Sequence, residues 1–396
     1  MKIFVLGSGA TGGALAQLLR RRGHEVWCGD RDAKRARAFL GPHISCVRAN
    51  ARNRPSLVRA ARGCELLVNT VPAAFNEAAV EAALRLGVGY LDMASHLDPD
   101  PFKAEQLRFD GRFKRRGKLA LINAGAAPGL TNVLVALAAD GLDEVSQVRI
   151  RLFEETDTSE PISTWSAEVA FDEATSKPRV YRNGRFRLAR RFGEAEWFRF
   201  PPPIGDVRVV LLAQDEVATL PHFIRMTDLD VKAGGNDIER LRRWHRQGKL
   251  WPSDGRSEKR FPPTVIPAEM AGRMRRRTLR DACFAVAVSV TGRVGARWSE
   301  HRRACVFSSL LQLRRKRLLT TPIAYAAAEC AAAFIRHWPR GVAGVLPPEA
   351  LSPIVRQRIL TDLRRKEFRF DATTCRVQAE GQPRHPTKSP SHPAPP

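Results

Sequence analysis

The sequence predicts an α/β chain: a doubly wound parallel sheet at the N-terminal end, then an α+β domain built on an antiparallel sheet. Three observations carry this. Short apolar runs alternate with helix-length segments through the first third. A glycine-rich turn, Gly7-Ser8-Gly9-Ala10-Thr11-Gly12-Gly13, joins the first apolar run to the first helical segment. After Ala139 the pattern changes to alternating stretches and an Asn183-Gly184 hairpin turn.

The run Ile3-Phe4-Val5-Leu6 has the composition of a buried strand. Ala10 to Arg22 is expected to be helical, with Leu15, Leu18 and Leu19 on one side and Gly23 as the stop. Between them Gly7, Gly9 and Gly12 stand at G-x-G-x-x-G spacing. Gly7 permits a tight turn, Gly9 lets a pyrophosphate approach the backbone, and Gly12 lets the helix lie close to the strand. The free N–H groups at the helix start, from Ala10 and Thr11 onward, then face the phosphates. A second strand, Glu25 to Gly29, ends at an acid, Asp30. Strand, turn, helix, second strand and acid together predict a Rossmann-type dinucleotide site.

A third strand is expected at Ile44 to Val47. Pro55 should open a helix at its first position, running to about Gly63. Glu65 to Val71 is a fourth strand closed by Pro72. Asn76 should cap the helix Glu77 to Leu86, which Gly87 ends. Gly89 to Met93 is a fifth strand. A helix within Phe102 to Arg116 stops at Gly117, and Lys118 to Asn123 is a sixth strand. Ligands of such sheets sit beyond the carboxyl ends of the strands. That puts Gly7 to Gly12, Asp30, Asn69 to Pro72, Asp92 and Asn123 to Gly125 on one rim.

In the second part, Gln147 to Glu155 alternates as a half-exposed strand does. Arg179 to Leu188 is a hairpin. Val207 to Leu212, Leu229 to Ala233, Ala285 to Thr291 and Ala304 to Ser308 are further strands, and Asp237 to Arg246 is a basic helix. From Thr321 the chain is helical again, with an alanine-rich segment at Ile323 to His337 and a last helix within Leu351 to Lys366. Beyond about Val377 the Pro/Ser/His-rich composition predicts disorder.

At 396 residues the chain is long enough for two domains with real cores. Its 43% hydrophobic and 27% charged residues fit a soluble globular protein. No apolar run reaches membrane-spanning length, and no signal-peptide pattern precedes the first strand, so a cytoplasmic location is expected. Seven cysteines are scattered without C-x-x-C spacing. Cys28, Cys46 and Cys64 fall in or beside strands as small apolar fillers, and His385 and His392 lack ligand spacing. This predicts a reducing compartment and no metal site. The formal net charge is +25. The arginines are dispersed over nearly every element rather than grouped with interleaved aromatics. The expectation is therefore no specific nucleic acid and no membrane, but attraction for an anionic cofactor and a multi-carboxylate substrate.

Asp30 can accept both hydroxyls of an adenosine ribose, which favours NAD; Arg31, with Lys34 and Arg35, can hold a 2′-phosphate, which favours NADP. Asn69, Thr70, Val71 and Pro72 form the loop expected under the nicotinamide ribose. Gly125 and Gly129 flank Pro128 where backbone can lie against the nicotinamide or substrate.

Four stretches together resemble the saccharopine dehydrogenase-like family, in its reductase type. They are the opening Gly7 to Gly13, Leu66 to Ala94, Ile122 to Leu134 and Gly341 to Glu349. The run Ala124-Gly125-x-x-Pro128-Gly129-Leu130-Thr131-Asn132 is the most specific. Trp165, the Tyr181 to Gly184 turn, Pro201-Pro202 and Glu216 extend the likeness loosely through the middle. The resemblance implies NAD(P)-linked making or breaking of a secondary amine between an amino acid and an oxo acid. It also implies that the C-terminal helices return to the first domain. The division expected is 1–126, 127–317 for substrate and homodimer contacts, 318–376 for the returning helices, and a tail at 377–396. A carboxy-spermidine-type polyamine reductase on the same scaffold, or a non-enzymatic dinucleotide sensor, are the alternatives. Imine reduction needs an acid/base group for the nitrogen. Asp92 and His96 sit on the rim for it, Glu168 and Glu216 are second-domain candidates, and Trp165 is a candidate wall. Ala94-Ser95-His96 stands where many relatives carry an acid, which leaves the substrate open.

Overall fold

Ile3, Phe4, Val5 and Leu6 are buried, as a strand in the middle of a parallel sheet must be. The computed structural model describes residues 1–97, 99–156, 158, 167–249 and 281–377. Trp165, the side chain of Glu168, and the tail beyond Val377 with His385 and His392 lie outside the described residues.

The strands in chain order begin with β1 (Lys2–Leu6), β2 (Glu25–Asp30), β3 (Ser45–Arg48), β4 (Leu66–Asn69), β5 (Gly89–Leu91) and β6 (Leu119–Leu121). Then come β7 (Glu144–Glu155), β8 (Arg179–Arg182), β9 (Arg185–Leu188), β10 (Glu196–Phe200), β11 (Gly205–Leu211) and β12 (Asp228–Gly234). The last are β13 (Cys283–Val294), β14 (Arg297–Val306), β15 (Gly344–Leu346) and β16 (Arg369–Arg376). The first third carries α1 (Ala10–Arg21), α2 (Ala33–Leu40), α3 (Arg54–Ala60), α4 (Asn76–Leu86), α5 (Asp110–Arg115) and α6 (Leu130–Ala139). Further on are α7 (Ala167–Thr175), α8 (Leu220–Phe223), α9 (Asn236–Arg246), α10 (Leu310–Arg315), α11 (Pro322–Arg336) and α12 (Pro353–Arg364).

The first sheet is parallel, in the order β15-β6-β5-β4-β1-β2-β3. The chain winds outward from β1 to β3, then restarts at β4 on the other side. That is the switch point at which such sheets bind ligands. The seventh strand, β15, comes from the C-terminal segment and was not anticipated. A three-residue strand beside Pro347 and Pro348 leaves no periodicity to read. Two local expectations are corrected. Arg54, not Pro55, is the first residue of α3: the Asn53 side chain caps it by accepting the Ser56 N–H, and Pro55 is the second helical residue. Asn76 is the first helical residue of α4, not its cap, and its side chain is spent on other partners.

The second sheet holds nine strands among the described residues, along the path β10-β11-β12-β7-β13-β14-β16 with β8 and β9 attached. It is mixed rather than antiparallel. β12 runs parallel to β7, with Leu229 opposite Val148 and Val231 opposite Ile150. The Asn183-Gly184 turn forms as expected, with both residues at positive φ. β10 and β16 were not anticipated; arginines and threonines make up half of β16, which is mostly exposed at the sheet edge. Charge also enters the sheet interior. Arg151 is fully buried, with Nε 2.7 Å from Glu196 and Nη1 bonded to Asp230. Arg182 and Lys232 pair with the same two acids at 2.8 Å.

The C-terminal helices return to the first sheet. α11 packs along α1, with Ala324 against Ala10. Thr320 Oγ1 donates to the Ala10 carbonyl (3.0 Å), and Arg22 pairs with Glu329 at 2.5 Å. One apolar core therefore runs from Leu15 and Leu19 through α11 to Val286 and Val288 of β13; Phe4, Leu67, Val80 and Phe113 form a second core on the opposite face of the first sheet. Among the described residues no helix is long and apolar enough to cross a membrane.

Candidate dinucleotide site and facing cavity

The turn from β1 to α1 is shaped by its glycines and by Thr70. Gly12 lies so close to the strand end that a Cβ there would collide with the Gly7 carbonyl oxygen and with Thr70 Oγ1. Thr70 Oγ1 itself lies 2.9 Å from the Leu6 carbonyl oxygen and 3.2 Å from that of Gly7. It fastens the loop after β4 to the loop after β1. Gly9 precedes α1 without any side-chain cap, and a Cβ on it would meet nothing within 4 Å. The start of α1, at Ala10 and Thr11, is thus uncapped beside open space. Free N–H groups with the positive end of the helix behind them fit a pyrophosphate. Asp30 ends β2 beside this loop. Its Oδ2 accepts the Ser8 N–H (2.8 Å) and its Oδ1 the Asp32 N–H (3.0 Å). Arg31, Lys34 and Arg35 follow it, all exposed.

A cavity of about 110 Å³ opens next to the loop. That is the scale of a space that takes a single ring. One wall is the rim of the first sheet: Thr11, Asn69 to Ala73, Asn76, Asp92 to Ala94, and Gly125 to Ala127. The facing wall is Leu152 and Glu154 of β7, Glu173 of α7, Gln214, and Phe284 of β13; Ile323, Ala324 and Ala327 of α11 close the side.

The rim is held by a buried polar network. Asn69 Nδ2 donates to Asn76 Oδ1 (2.8 Å), and Asn69 Oδ1 accepts the Val71 N–H (3.2 Å). Asn76 Nδ2 donates to the Ala94 carbonyl (2.8 Å) and to Glu105 Oε1 (3.0 Å). Gln106 Nε2 donates to Asp92 Oδ2 (2.9 Å), and the Asn123 N–H to Asp92 Oδ1 (2.8 Å). Burial outweighs these donors and pushes the Asp92 carboxyl up to about 7 and that of Glu105 up to about 8.

Among the residues singled out from sequence, Thr11, Asn69, Thr70, Val71, Pro72, Asp92 and Gly125 line this one cavity. Gly7, Gly9, Ala10 and Gly12 form the adjoining loop, and Asp30 with Arg31 stands at its β2 side. His96 does not join them. It is exposed, lies outside the cavity lining, and uses its backbone N–H on Glu105 Oε1 (2.9 Å). Glu216 is neither solvated nor in the cavity. It is fully buried, and its Oε1 accepts from Thr131 Oγ1 (2.8 Å). Beside it Asn132 Nδ2 donates to Glu349 Oε2 (3.0 Å). The Ala124 to Asn132 run, Glu216 and the end of the Gly341 to Glu349 run thus meet in one buried cluster. Burial pushes both Glu216 and Glu349 up to about 7.

Sequence reasoning missed Glu154, Glu173 and Gln214. A carboxylate in the run Leu152-Phe153-Glu154 was the available signal for the first. The other two reach the cavity through tertiary placement alone.

Residues 3–121 match the model of the family described as the saccharopine dehydrogenase NADP binding domain. This stretch is similar to the NADP-binding domain of saccharopine dehydrogenase. Curated proteins that align with the chain include the following two. Carboxyaminopropylagmatine dehydrogenase of Synechocystis is 29% identical over 163 residues, 40% of this chain and 41% of that protein. Carboxynorspermidine synthase of Vibrio cholerae is 26% identical over 192 residues, 44% of each. The matched part spans less than half the length of these relatives. The apo saccharopine dehydrogenase (L-Glu forming) of Saccharomyces cerevisiae superposes with a TM-score of 0.66 at 11% identity, covering 94% of this chain and 99% of that one. The likeness to that enzyme is one of fold, and it extends past the NADP-binding domain through the second sheet.

Proposed function

We propose that the chain is an NAD(P)-dependent oxidoreductase acting on a C–N bond, and that its amine substrate is cationic, of the polyamine kind. The observation that carries this is the cavity's composition. Among the described residues its lining holds the carboxyls of Asp92, Glu154 and Glu173 and no lysine or arginine. Such walls suit an ammonium-bearing substrate better than the several carboxylates expected from the overall charge. The names of the two curated relatives, a carboxyaminopropylagmatine dehydrogenase and a carboxynorspermidine synthase, support the same reading.

In this reading Gly7, Gly9, Ala10, Thr11 and Gly12 hold the pyrophosphate, and Asp30 with Arg31 meets the adenosine ribose. Asn69 to Pro72 and Gly125 seat the nicotinamide end, from which the dinucleotide supplies hydride. Asp92, fixed by two N–H donors, shapes the floor of the cavity; His96 is too far out to serve there. The second sheet selects the substrate and pairs two copies of the chain, which works in the cytoplasm.

The test is NAD(P)H consumption, followed at the nicotinamide absorbance, with oxo acids and carboxylate-bearing aldehydes offered singly and with diamines, polyamines or amino acids. Turnover should require a carbonyl compound and an amine together, and polyamine-like amines should serve best. Consumption with a carbonyl compound alone would make the protein a simple carbonyl reductase. No consumption with any pair would leave a dinucleotide-binding protein.

A further inference from the structure

Glu154 projects from β7 into the cavity wall that faces the Asn69 to Pro72 loop. It is 7% exposed, and among the described residues no hydrogen bond or ion pair engages its carboxyl. Buried carboxyls are normally paired or hydrogen-bonded. Among the described residues no cation pairs with it. Glu173 on α7 lines the same cavity, Asp237 on α9 lies behind, and Phe284 is its register neighbour on β13. Asp92 stands in the opposite wall, and Asp215 and Glu216 lie beyond Glu173. The nearby guanidinium groups are committed elsewhere. Arg240 pairs with Asp237, and Arg179 acts on Asp215 and Glu173.

We propose that Glu154 is the proton donor for the substrate nitrogen. The assignment rests on the C–N reading above. With hydride delivered from the rim side, the carbon of the C=N bond gains a C–H bond and the hydride's electron pair. The π electrons of that bond move to nitrogen, which takes the proton as the Glu154 O–H breaks. NAD(P)H becomes NAD(P)⁺, and the carboxylate recovers its proton from water. Hydride and proton thus enter from opposite walls. Asp92 is a poorer donor because each of its oxygens already accepts an N–H, from Gln106 and from Asn123.

The electrostatics agree with the geometry. Burial, with Asp237 adding to it, pushes the Glu154 carboxyl up to about 8, so it is protonated at neutral pH and able to cycle. Glu173, whose own carboxyl is held well above its ordinary value by burial and by Glu154, Asp215 and Glu216, supplies no charge that would draw the proton away.

The experiment has two readouts. The first is infrared titration of protonated carboxyl groups in the dinucleotide-free protein. The transition near pH 8, to which Glu105 also contributes, should be smaller by one carboxyl in Glu154→Gln than in the parent. The second is turnover with the best substrate pair. Glu154→Gln should lose about 100-fold or more in kcat while NADPH affinity stays within about twofold. Glu154→Asp, which keeps the acid but draws it back, should retain a titration and part of the rate. If the transition keeps its full amplitude in Glu154→Gln, or its turnover stays within twofold of the parent, the assignment of Glu154 is overturned and the C–N reading is untouched. If the transition shrinks as expected but no pair is turned over by the parent, the C–N reading falls and takes proton delivery to nitrogen with it.

Discussion

The backbone N–H of Ser8 and the carboxylate of Asp30 meet at 2.8 Å, so the glycine loop after β1 is fastened to the acid at the end of β2. Asp30 therefore has two tasks: it holds the loop, and it stands where the adenosine ribose is expected. A carboxylate there repels a 2′-phosphate. Asp30→Ala should raise the preference for NADPH over NADH by about tenfold, about 1.4 kcal/mol. It should also cost about 1 kcal/mol of stability, because the Ser8 N–H loses its partner. Fluorescence titration with each dinucleotide and urea denaturation check the two parts.

Gly9 and Gly12 should separate binding from folding. A Cβ at Gly9 meets nothing within 4 Å, and the residue's φ of −74° suits any side chain. Gly9→Val should therefore melt like the parent yet fail to bind either dinucleotide. Gly12→Val puts atoms into the Gly7 carbonyl and Thr70, and should destabilise the fold by about 2 kcal/mol or more. Thermal melting beside dinucleotide titration distinguishes them; equal melting temperatures for both variants would contradict the packing described.

Arg151 is the most demanding buried charge in the second sheet. Burial alone would raise the Asp230 carboxyl, but Arg151 and Arg182 overcome it and hold Asp230 below its ordinary value. Arg151→Met leaves Asp230 and Glu196 with only Arg182 and Lys232 as partners. The expected loss is about 3 kcal/mol in chemical denaturation. The parent's Asp230 contribution is present above the ordinary aspartate pKa and disappears as pH falls through its lowered value, so the gap between parent and variant should narrow in acid.

Glu216 gives the opposite pH signature. Its folded pKa is raised to about 7 by burial, well above the unfolded value, so the folded chain binds the extra proton. That contribution is complete below about pH 4 and is lost as pH rises through about 7. Glu216→Gln keeps an oxygen for the Thr131 hydroxyl and has no charge to bury. It should melt about 2–4 °C above the parent at pH 8, with the advantage vanishing near pH 5. A constant difference across that range would mean that the carboxyl does not titrate in the folded chain.

The dinucleotide half of the molecule was legible because its signals are local. Gly7, Gly9 and Gly12 lie within one turn, and each strand of the first sheet but β15 has its own apolar run. Asn69 to Pro72, Asp92 and Gly125 could be placed together because a parallel sheet puts its strand ends on one rim. The facing wall was not legible. Glu173 and Gln214 arrive from separate elements, and nothing in their neighbours marks them. Asn76 misled for a related reason: an asparagine before a helix is usually a cap, but here the buried network of Asn69, Ala94 and Glu105 claims its side chain. The parallel pairing of β7 with β12 escaped because strand direction is set by the long connection between them rather than by either strand's sequence.

The placement of β15 and β16 has a consequence for how the chain is made. β15 closes the outer edge of the first sheet against β6, α11 covers α1, and β16 closes the second sheet against β14. A nascent chain that has emerged only as far as Arg340 has begun both sheets and finished neither. Each still shows an open edge while the ribosome completes the last segment. Emergence of residues 344–376 is then the event that lets both layers mature together, and a premature stop before them should yield a chain recognised by chaperones rather than a smaller working protein.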